Sequence, residues 1–265
     1  MIRRPYHFTV HLEEGVVGRA WLNDLPVQKL LTRGPDSMGG GASHLLVPGK
    51  NRLVLEILRL PPPGSIPPVG MKIYRIVDAD TTPILAEMLQ TVELPAALNL
   101  PVGKTPELPI WHVVDFELPE PVVEPPWWRS PRIETPCSGT KELIDLVLDL
   151  QDAVEKLDLR RFFELVSLKH EHWAAAYAGD PYAPVERQQE GATEFFKLSP
   201  KVRPLDVNRL HFHPRCGGRV VHVSAWDDGP VIEAIAPAAG EDEPTPALRA
   251  NLLVTHHEGR YRIFG

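Results

Sequence analysis

The sequence is poor in cysteine and has no long hydrophobic run, and each shortage excludes a class of protein. Its 265 residues include two cysteines, Cys137 and Cys216, which are too few and too far apart for a disulfide framework or a CxxC metal site. No stretch reaches the roughly 18 apolar residues that a membrane-spanning helix needs. We therefore expect a soluble, cytoplasmic protein with no membrane partner.

Catalytic and cofactor motifs are missing as well. The sequence contains no GxSxG nucleophile elbow, Walker loop, Rossmann glycine pattern or HExxH zinc motif. The run Gly39–Gly41 does not stand between a strand and a helix, and a flexible loop is enough to explain it. The sequence therefore predicts no catalytic residue, no metal and no cofactor, and favours a protein that is not an enzyme.

The charge balance argues against nucleic acid as a partner. The formal net charge is -7 at pH 7, which gives no electrostatic reason for binding a phosphate backbone. Hydrophobic residues make up 43% of the chain and charged residues 24%, as in globular proteins. A packed core is therefore expected.

The sequence is rich in proline, and the distribution of its prolines indicates where the domains divide. More than half of the 29 prolines fall between Pro61 and Pro136, where no long helix can form because proline removes a backbone donor. We predict a β-sandwich over residues 1–119, a Pro/Trp-rich linker over 120–138 and an α+β domain over 139–265. Trp127 and Trp128 in the linker need apolar cover, from a domain or from a partner.

Alternating apolar residues predict the strands of the first domain. Tyr6–Leu12 and Val16–Leu22 are interpreted as a hairpin because a short Glu-Glu-Gly connection separates them. Further strands are predicted at His44–Val47, Asn51–Leu60, Met71–Val77 and Ile110–Leu118.

Two segments of this domain, Trp21–Val27 and Leu46–Leu55, are similar to the NGxPV and LxPGxNxLxV patterns of galactose-binding-like jelly-roll domains. The pair Asp24 and Leu25 departs from the glycine expected there. The resemblance implies a jelly-roll-like sandwich in which the segments form a strand with its turn and a turn entering a core strand. It reports backbone geometry rather than a ligand site.

Helical periodicity begins after the linker. Apolar residues from Leu143 to Leu157 recur at helical spacing, with Ser138 or Thr140 as the N-cap. A second helix is predicted over Leu159–Ala178 and a third over Pro184–Leu198. Antiparallel strands are predicted after them, at about Val207–His213, Val220–Trp226, Val231–Ala236, Leu248–Thr255 and Arg260–Phe264.

The segment Leu150–Phe162 and the closing Leu253–Phe264 resemble the ketosteroid-isomerase-like cone fold, also called nuclear transport factor 2-like. In that family an Asp stands at the break between the first two helices, as Asp158 does here. Gly259–Ile263 is similar to the family's final GxWxI strand, with Tyr for Trp. The resemblance implies helices over a curved antiparallel sheet, in enzymes, transport factors and scaffolds alike.

Three histidines are candidates for a site because His211 and His213 share one strand face and His222 lies on the next strand. In the predicted pairing His211 lies across from His222, and converging imidazoles could ligate a metal. The opposite face, which includes Leu210 and Phe212, is apolar and belongs under the helices. The histidines are therefore predicted on the outer face, as an interaction surface together with Trp226.

A cone cavity is the other candidate site. Trp173, Tyr177, Phe195 and Phe196 are its most plausible walls, although aromatic residues at helical spacing are more often core. His170 and His172 flank Glu171, and residues one or two apart do not share a helix face, so a solvated helix position explains His170. The discriminating feature is an open pocket of roughly 300 Å³ or more with a buried ionisable group.

These patterns favour a non-catalytic protein-binding or accessory protein, with a protein partner or self-association. Bacterial toxin-immunity proteins and assembly factors often have this character. One alternative is a small-molecule binder or enzyme that uses the cone cavity. Another is carbohydrate recognition by the N-terminal domain, which the jelly-roll resemblance alone suggests.

Overall fold

The structure is a computed structural model, which describes residues 5–12, 15–31, 36–60, 69–78, 85–94, 107–133, 140–178, 184–225, 229–237 and 247–265. The chain divides into two units. The first comprises Met1–Pro125 with Ala176–Pro181, and the second Pro126–Ala175 with Tyr182–Gly265. Trp226, predicted to belong to an interaction surface, lies outside the described residues.

The described part of the first unit consists of two four-stranded antiparallel sheets. One sheet has the order β4-β1-β6-β7 and the other β3-β2-β5-β8. Each has strands that alternate buried and outward residues, as the sequence pattern predicts. The strands are β1 (Tyr6–Leu12), β2 (Val17–Leu22), β3 (Leu25–Leu31), β4 (Asp36–Gly41), β5 (Lys50–Arg59), β6 (Val69–Asp78), β7 (Leu85–Leu94) and β8 (Ile110–Glu117).

The predicted hairpin between the first two strands is wrong. β1 pairs with β4 and β6, whereas β2 pairs with β3 and β5, so the two consecutive strands belong to different sheets. Both strands carry a buried face, and alternation alone does not say which neighbour each strand pairs with. β3, β4 and β7 were not among the predicted strands.

The predicted glycine loop is also wrong, because Gly39–Gly41 lie in β4 and pair with β1. A Cβ atom on Gly39 would stand 3.0 Å from the carbonyl oxygen of Phe8. One on Gly41 would stand 2.1 Å from the hydroxyl of Tyr177. Glycine is required here because neighbours approach the strand closely, and not because the backbone bends.

Two asparagines, Asn23 in the turn between β2 and β3 and Asn51 at the start of β5, fix the backbone of the turns next to them. Asn51 is 1% exposed; its amide oxygen accepts from the Val47 nitrogen at 2.9 Å and its amide nitrogen donates to the Val47 oxygen at 3.0 Å. Asn23 donates to the Asn51 amide oxygen at 2.7 Å and to the Leu45 oxygen at 2.9 Å. The residues predicted as a strand at His44–Val47 are therefore a turn, since Asn51 replaces ladder bonds with side-chain bonds.

The second unit begins at Pro126, inside the stretch predicted as a linker. Trp127 is buried at 3% exposure and meets Trp128 edge to face with ring centroids 5.8 Å apart. The Ser130 hydroxyl donates to the Pro126 oxygen at 2.9 Å and closes this turn. Apolar cover for Trp127 thus comes from within the chain.

Four α-helices follow in the described part of the second unit: α1 (Lys141–Glu155), α2 (Leu159–Leu165), α3 (Ser167–Ala176) and α4 (Pro184–Lys197). Thr140 caps α1 by accepting from the Leu143 nitrogen at 3.4 Å, and Asp158 caps α2 by accepting from the Arg161 nitrogen at 2.9 Å. The one helix predicted over Leu159–Ala178 is two helices, with a break at Val166.

Antiparallel sheets complete this unit, so the predicted α+β order of helices followed by sheet is confirmed at that level. One sheet has the order β10-β11-β14-β15 and the other β13-β12-β9. The strand predicted over Leu248–Thr255 is two strands in different sheets, broken at Asn251. The strands are β9 (Lys201–Val202), β10 (Leu210–Arg215), β11 (Val220–Ala225), β12 (Ile232–Ile235), β13 (Ala247–Ala250), β14 (Leu252–His257) and β15 (Arg260–Ile263).

The core of the second unit lies between these helices and sheets. The apolar stripe of α1 is buried against strand residues such as Phe212 and Val254, as helical periodicity predicts. No helix in the described ranges is long and apolar enough to cross a membrane.

Candidate functional site

A largely apolar pocket of about 640 Å³ lies among α2, α3, α4 and β13 of the second unit. Its apolar walls include Phe162, Val166, Phe195, Phe196 and Leu248. Ligand pockets of proteins have this size and this character, with a few polar groups that orient the ligand. Lys169, His170, Gln188 and Glu194 are the polar residues of the lining that the structure describes.

The break between α2 and α3 determines how the basic groups approach the pocket. The Ser167 hydroxyl donates to the Glu164 oxygen at 2.9 Å, and Arg262 donates to that hydroxyl at 2.7 Å. These bonds fix the start of α3 on β15. Lys169 and His170 follow in the first turn of α3.

Lys169 is half-buried and lines the pocket. The Nζ atom lies 5.0 Å from the centre of the Trp173 ring, one helical turn further on, where the ring face favours a cation. Burial lowers the pKa of Lys169 below its ordinary value because desolvation disfavours the charged form. A lysine in this state is one of the marks of a functional site.

His170 is the second basic group of the lining. Burial, and after it the charge of Lys169, lower the pKa of His170. Its ring stands 5.7 Å from that of Phe163, and its Nδ1 lies 3.5 Å from the Gln189 amide nitrogen. The histidine therefore lies in an apolar setting beside another basic group.

The acidic residue of the described pocket lining already has a basic partner. Glu194, the carboxylate among the described lining residues, accepts from Lys197 at 2.7 Å. Burial is the cause that acts on the pKa of Lys169, with no contribution from an acidic neighbour. The described pocket thus has basic groups without a matching acid.

Of the four residues predicted to line a cavity, Phe195 and Phe196 lie in the pocket wall. Trp173 contacts the Lys169 amine through its ring face and is not among the described lining residues. Tyr177 is elsewhere: it groups with the first unit, is buried at 2% exposure, and its hydroxyl lies 2.7 Å from Nδ1 of His44.

The structure brings the predicted histidine cluster together, but in a different register and environment. His213 lies across from His222, whereas His211 lies across from Ser224. The rings of His211 and His213 stack at 5.8 Å, and His213 and His222 are 5.9 Å apart. His222 is 5% exposed, so its imidazole is buried within the chain and not on an outer face.

No group of three or more His, Cys, Asp or Glu side chains within the described ranges is arranged to hold a metal. His172, on the same helix as Lys169, is buried at 5% exposure. Sequence reasoning did not single out Lys169. The available signal was its spacing, since Lys169 is three residues after Val166 and four before Trp173, on an otherwise apolar stripe.

The chain matches no protein-family model, and comparison with the curated proteins and with the solved structures finds no match either. The resemblances to the jelly-roll and cone families stay predictions. Function is therefore inferred from the geometry and chemistry of the pocket.

Proposed function

We propose that this protein binds a small, mainly apolar molecule in the pocket formed by α2, α3, α4 and β13. The supporting observation is an opening of about 640 Å³ whose wall combines Phe162, Phe195 and Phe196 with the half-buried Lys169, whose pKa burial lowers. A filled core would have favoured pure protein binding. An open apolar pocket with a partly buried ionisable group favours the small-molecule alternative.

Binding in this pocket gains free energy by removing apolar ligand surface from water, at about 25 cal/mol per Å². The ring pair Phe162 and Phe196, with centroids 5.2 Å apart, gives the wall a fixed shape. Ala192, a small residue of α4, lines the pocket. A large side chain at this position would occupy the ligand's volume.

The test is a fluorescence titration with N-phenylnaphthylamine, a neutral apolar dye that brightens when it leaves water. Wild type should bind the dye, and Ala192→Trp should weaken binding by about tenfold or more. Glu190→Trp is the matched control, because Glu190 is exposed on the same helix and is not in the described lining. Equal binding by the two variants, or none by wild type, would refute the proposal.

Protein binding is a second proposal, supported by a different region. β8 is the outermost strand of its sheet, and it exposes Trp111 at 54% and Val113 at 49%. An edge strand with exposed apolar side chains can pair with an extended segment of another protein. If β8 binds a partner in this way, Trp111→Lys should abolish co-purification of a stoichiometric partner from the native cell. Asp115→Lys, on the same strand, should retain more of the co-purified partner than Trp111→Lys does.

A further inference from the structure

The amine of Lys169 marks which chemical class of ligand fits the pocket. Within the described part of the chain, Lys169 takes part in no ion pair, and its contact is with the face of Trp173. A half-buried ammonium without a counter-ion is costly, because part of its hydration is lost and no anion replaces it. An anionic group on a ligand would supply the missing partner.

The remaining charges of the lining agree with this. His170 adds a second basic group next to Lys169, whereas the carboxylate of Glu194 is held by Lys197 at 2.7 Å. The nearest acidic groups of the preceding helix are also engaged, since Glu164 accepts from Arg161 at 3.2 Å. Among the described lining residues, Lys169 is therefore the charged group without an ionic partner.

The apolar wall limits how much charge a ligand can carry. Phe162, Val166, Phe195, Phe196 and Leu248 offer no partner for a second or third anionic oxygen group. A nucleotide or a sugar phosphate would lose its hydration against these side chains without compensation. One anionic group on an apolar body matches both halves of the pocket.

We infer that the ligand is a monocarboxylate with an apolar tail, whose carboxylate pairs with Lys169 beside His170 while the tail lies among the phenylalanines. This inference rests on the proposed small-molecule function. Pairing would also reverse the effect of burial on Lys169, since a neighbouring negative charge favours the ammonium form.

The experiment compares decanoate with decanol, which share a tail and differ in the charge of the head group. Each is titrated against the full chain at about pH 7 by displacement of N-phenylnaphthylamine. We expect decanoate to bind about tenfold or more tightly than decanol, as a charge-assisted pair in an apolar site should. Lys169→Met should remove that preference, and Lys169→Arg should retain it.

Lys156→Met is the control for a general change in charge, because Lys156 is exposed and is not in the described lining; it should keep the preference for decanoate. Equal affinity of wild type for decanoate and decanol, or a preference that survives in Lys169→Met, would overturn the inference and leave apolar binding intact. Failure of wild type to bind either molecule would overturn the proposed function itself.

Discussion

Asn51 in the first unit is a buried polar group and Lys169 in the second a half-buried one, and their surroundings differ completely. Asn51 is 1% exposed and exchanges hydrogen bonds with Val47, Gly49 and Asn23. The Lys169 amine contacts the ring face of Trp173, and Lys169 lines an open apolar pocket. A satisfied polar group holds the fold together, whereas one left without a charge partner is available to a ligand.

The largest effect is expected at Asn51. Asn51→Ala would leave the Val47 nitrogen and oxygen and the Asn23 amide without their partner, which should cost about 3 to 5 kcal/mol in the free energy of unfolding. Urea denaturation measures it. Asn208→Ala is the control, since Asn208 is exposed, and it should change stability by less than about 0.5 kcal/mol.

A small effect of Asn51→Ala would mean that water enters the turn and replaces the lost bonds. The contrast with Lys169 would then fail, because the buried polar groups of the first unit would not be essential to its fold. The asparagine network also explains why the segments Trp21–Val27 and Leu46–Leu55 could be interpreted as turn geometry from the sequence: their polar residues act on the backbone.

The next largest effect is expected from a glycine-to-alanine substitution, made once in each unit. Gly41→Ala would place a methyl group 2.1 Å from the hydroxyl of Tyr177, which is buried, and should cost about 1 to 3 kcal/mol by overpacking. Gly191→Ala in α4 meets nothing within 4 Å, and should stabilise by up to about 1 kcal/mol through helix propensity. Thermal unfolding of both variants measures whether stability falls in Gly41→Ala and rises in Gly191→Ala.

The cause of the Gly41 effect is checked in a Tyr177→Ala background. There the new methyl group has room, so Gly41→Ala should cost less than about 0.5 kcal/mol. An undiminished cost would show that the strand itself resists the substitution, independently of Tyr177. This contact also explains why the glycine run misled sequence analysis: a close neighbour distant in sequence leaves no local signal.

Sequence periodicity predicted α1, α4 and many of the strands, but it missed β3, β4 and β7 and did not predict which strands pair. α1 and α4 follow from apolar residues at helical spacing and the cap at Thr140. The pairing of β1 with β4 and β6 does not follow, because strand alternation specifies a buried face and not a neighbour. Phe195 and Phe196, predicted to line a cavity, lie in the pocket wall, whereas the role proposed for Lys169 required knowing what surrounds its amine.

The smallest effect tests Lys169 directly through the pH dependence of stability. Because burial lowers the pKa of Lys169 in the folded chain from its ordinary value of 10.5, the unfolded chain binds more protons between the two values. Wild-type stability therefore gains with rising pH across that window, and Lys169→Met lacks this gain. His170 and Glu194 also face the pocket. Burial, and after it the charge of Lys169, lower the pKa of His170 from its ordinary 6.5, so that titration falls below the range from about pH 7 upward in which the proteins are compared.

Lys169→Met should accordingly be more stable than wild type at about pH 7, by no more than about 1 kcal/mol, with the difference disappearing near pH 10.5, the ordinary pKa. Lys156 provides the opposite case, since Asp152 at 2.8 Å raises the pKa of Lys156. Lys156→Met should be less stable than wild type at neutral pH, and that deficit should shrink as the pH passes the raised pKa. Urea midpoints of the three proteins, measured from about pH 7 to above the ordinary lysine pKa of 10.5, decide it. A difference between Lys169→Met and wild type that stays constant with pH would mean that the Lys169 amine is hydrated as in the unfolded chain, and the contrast with Asn51 would lose its physical basis.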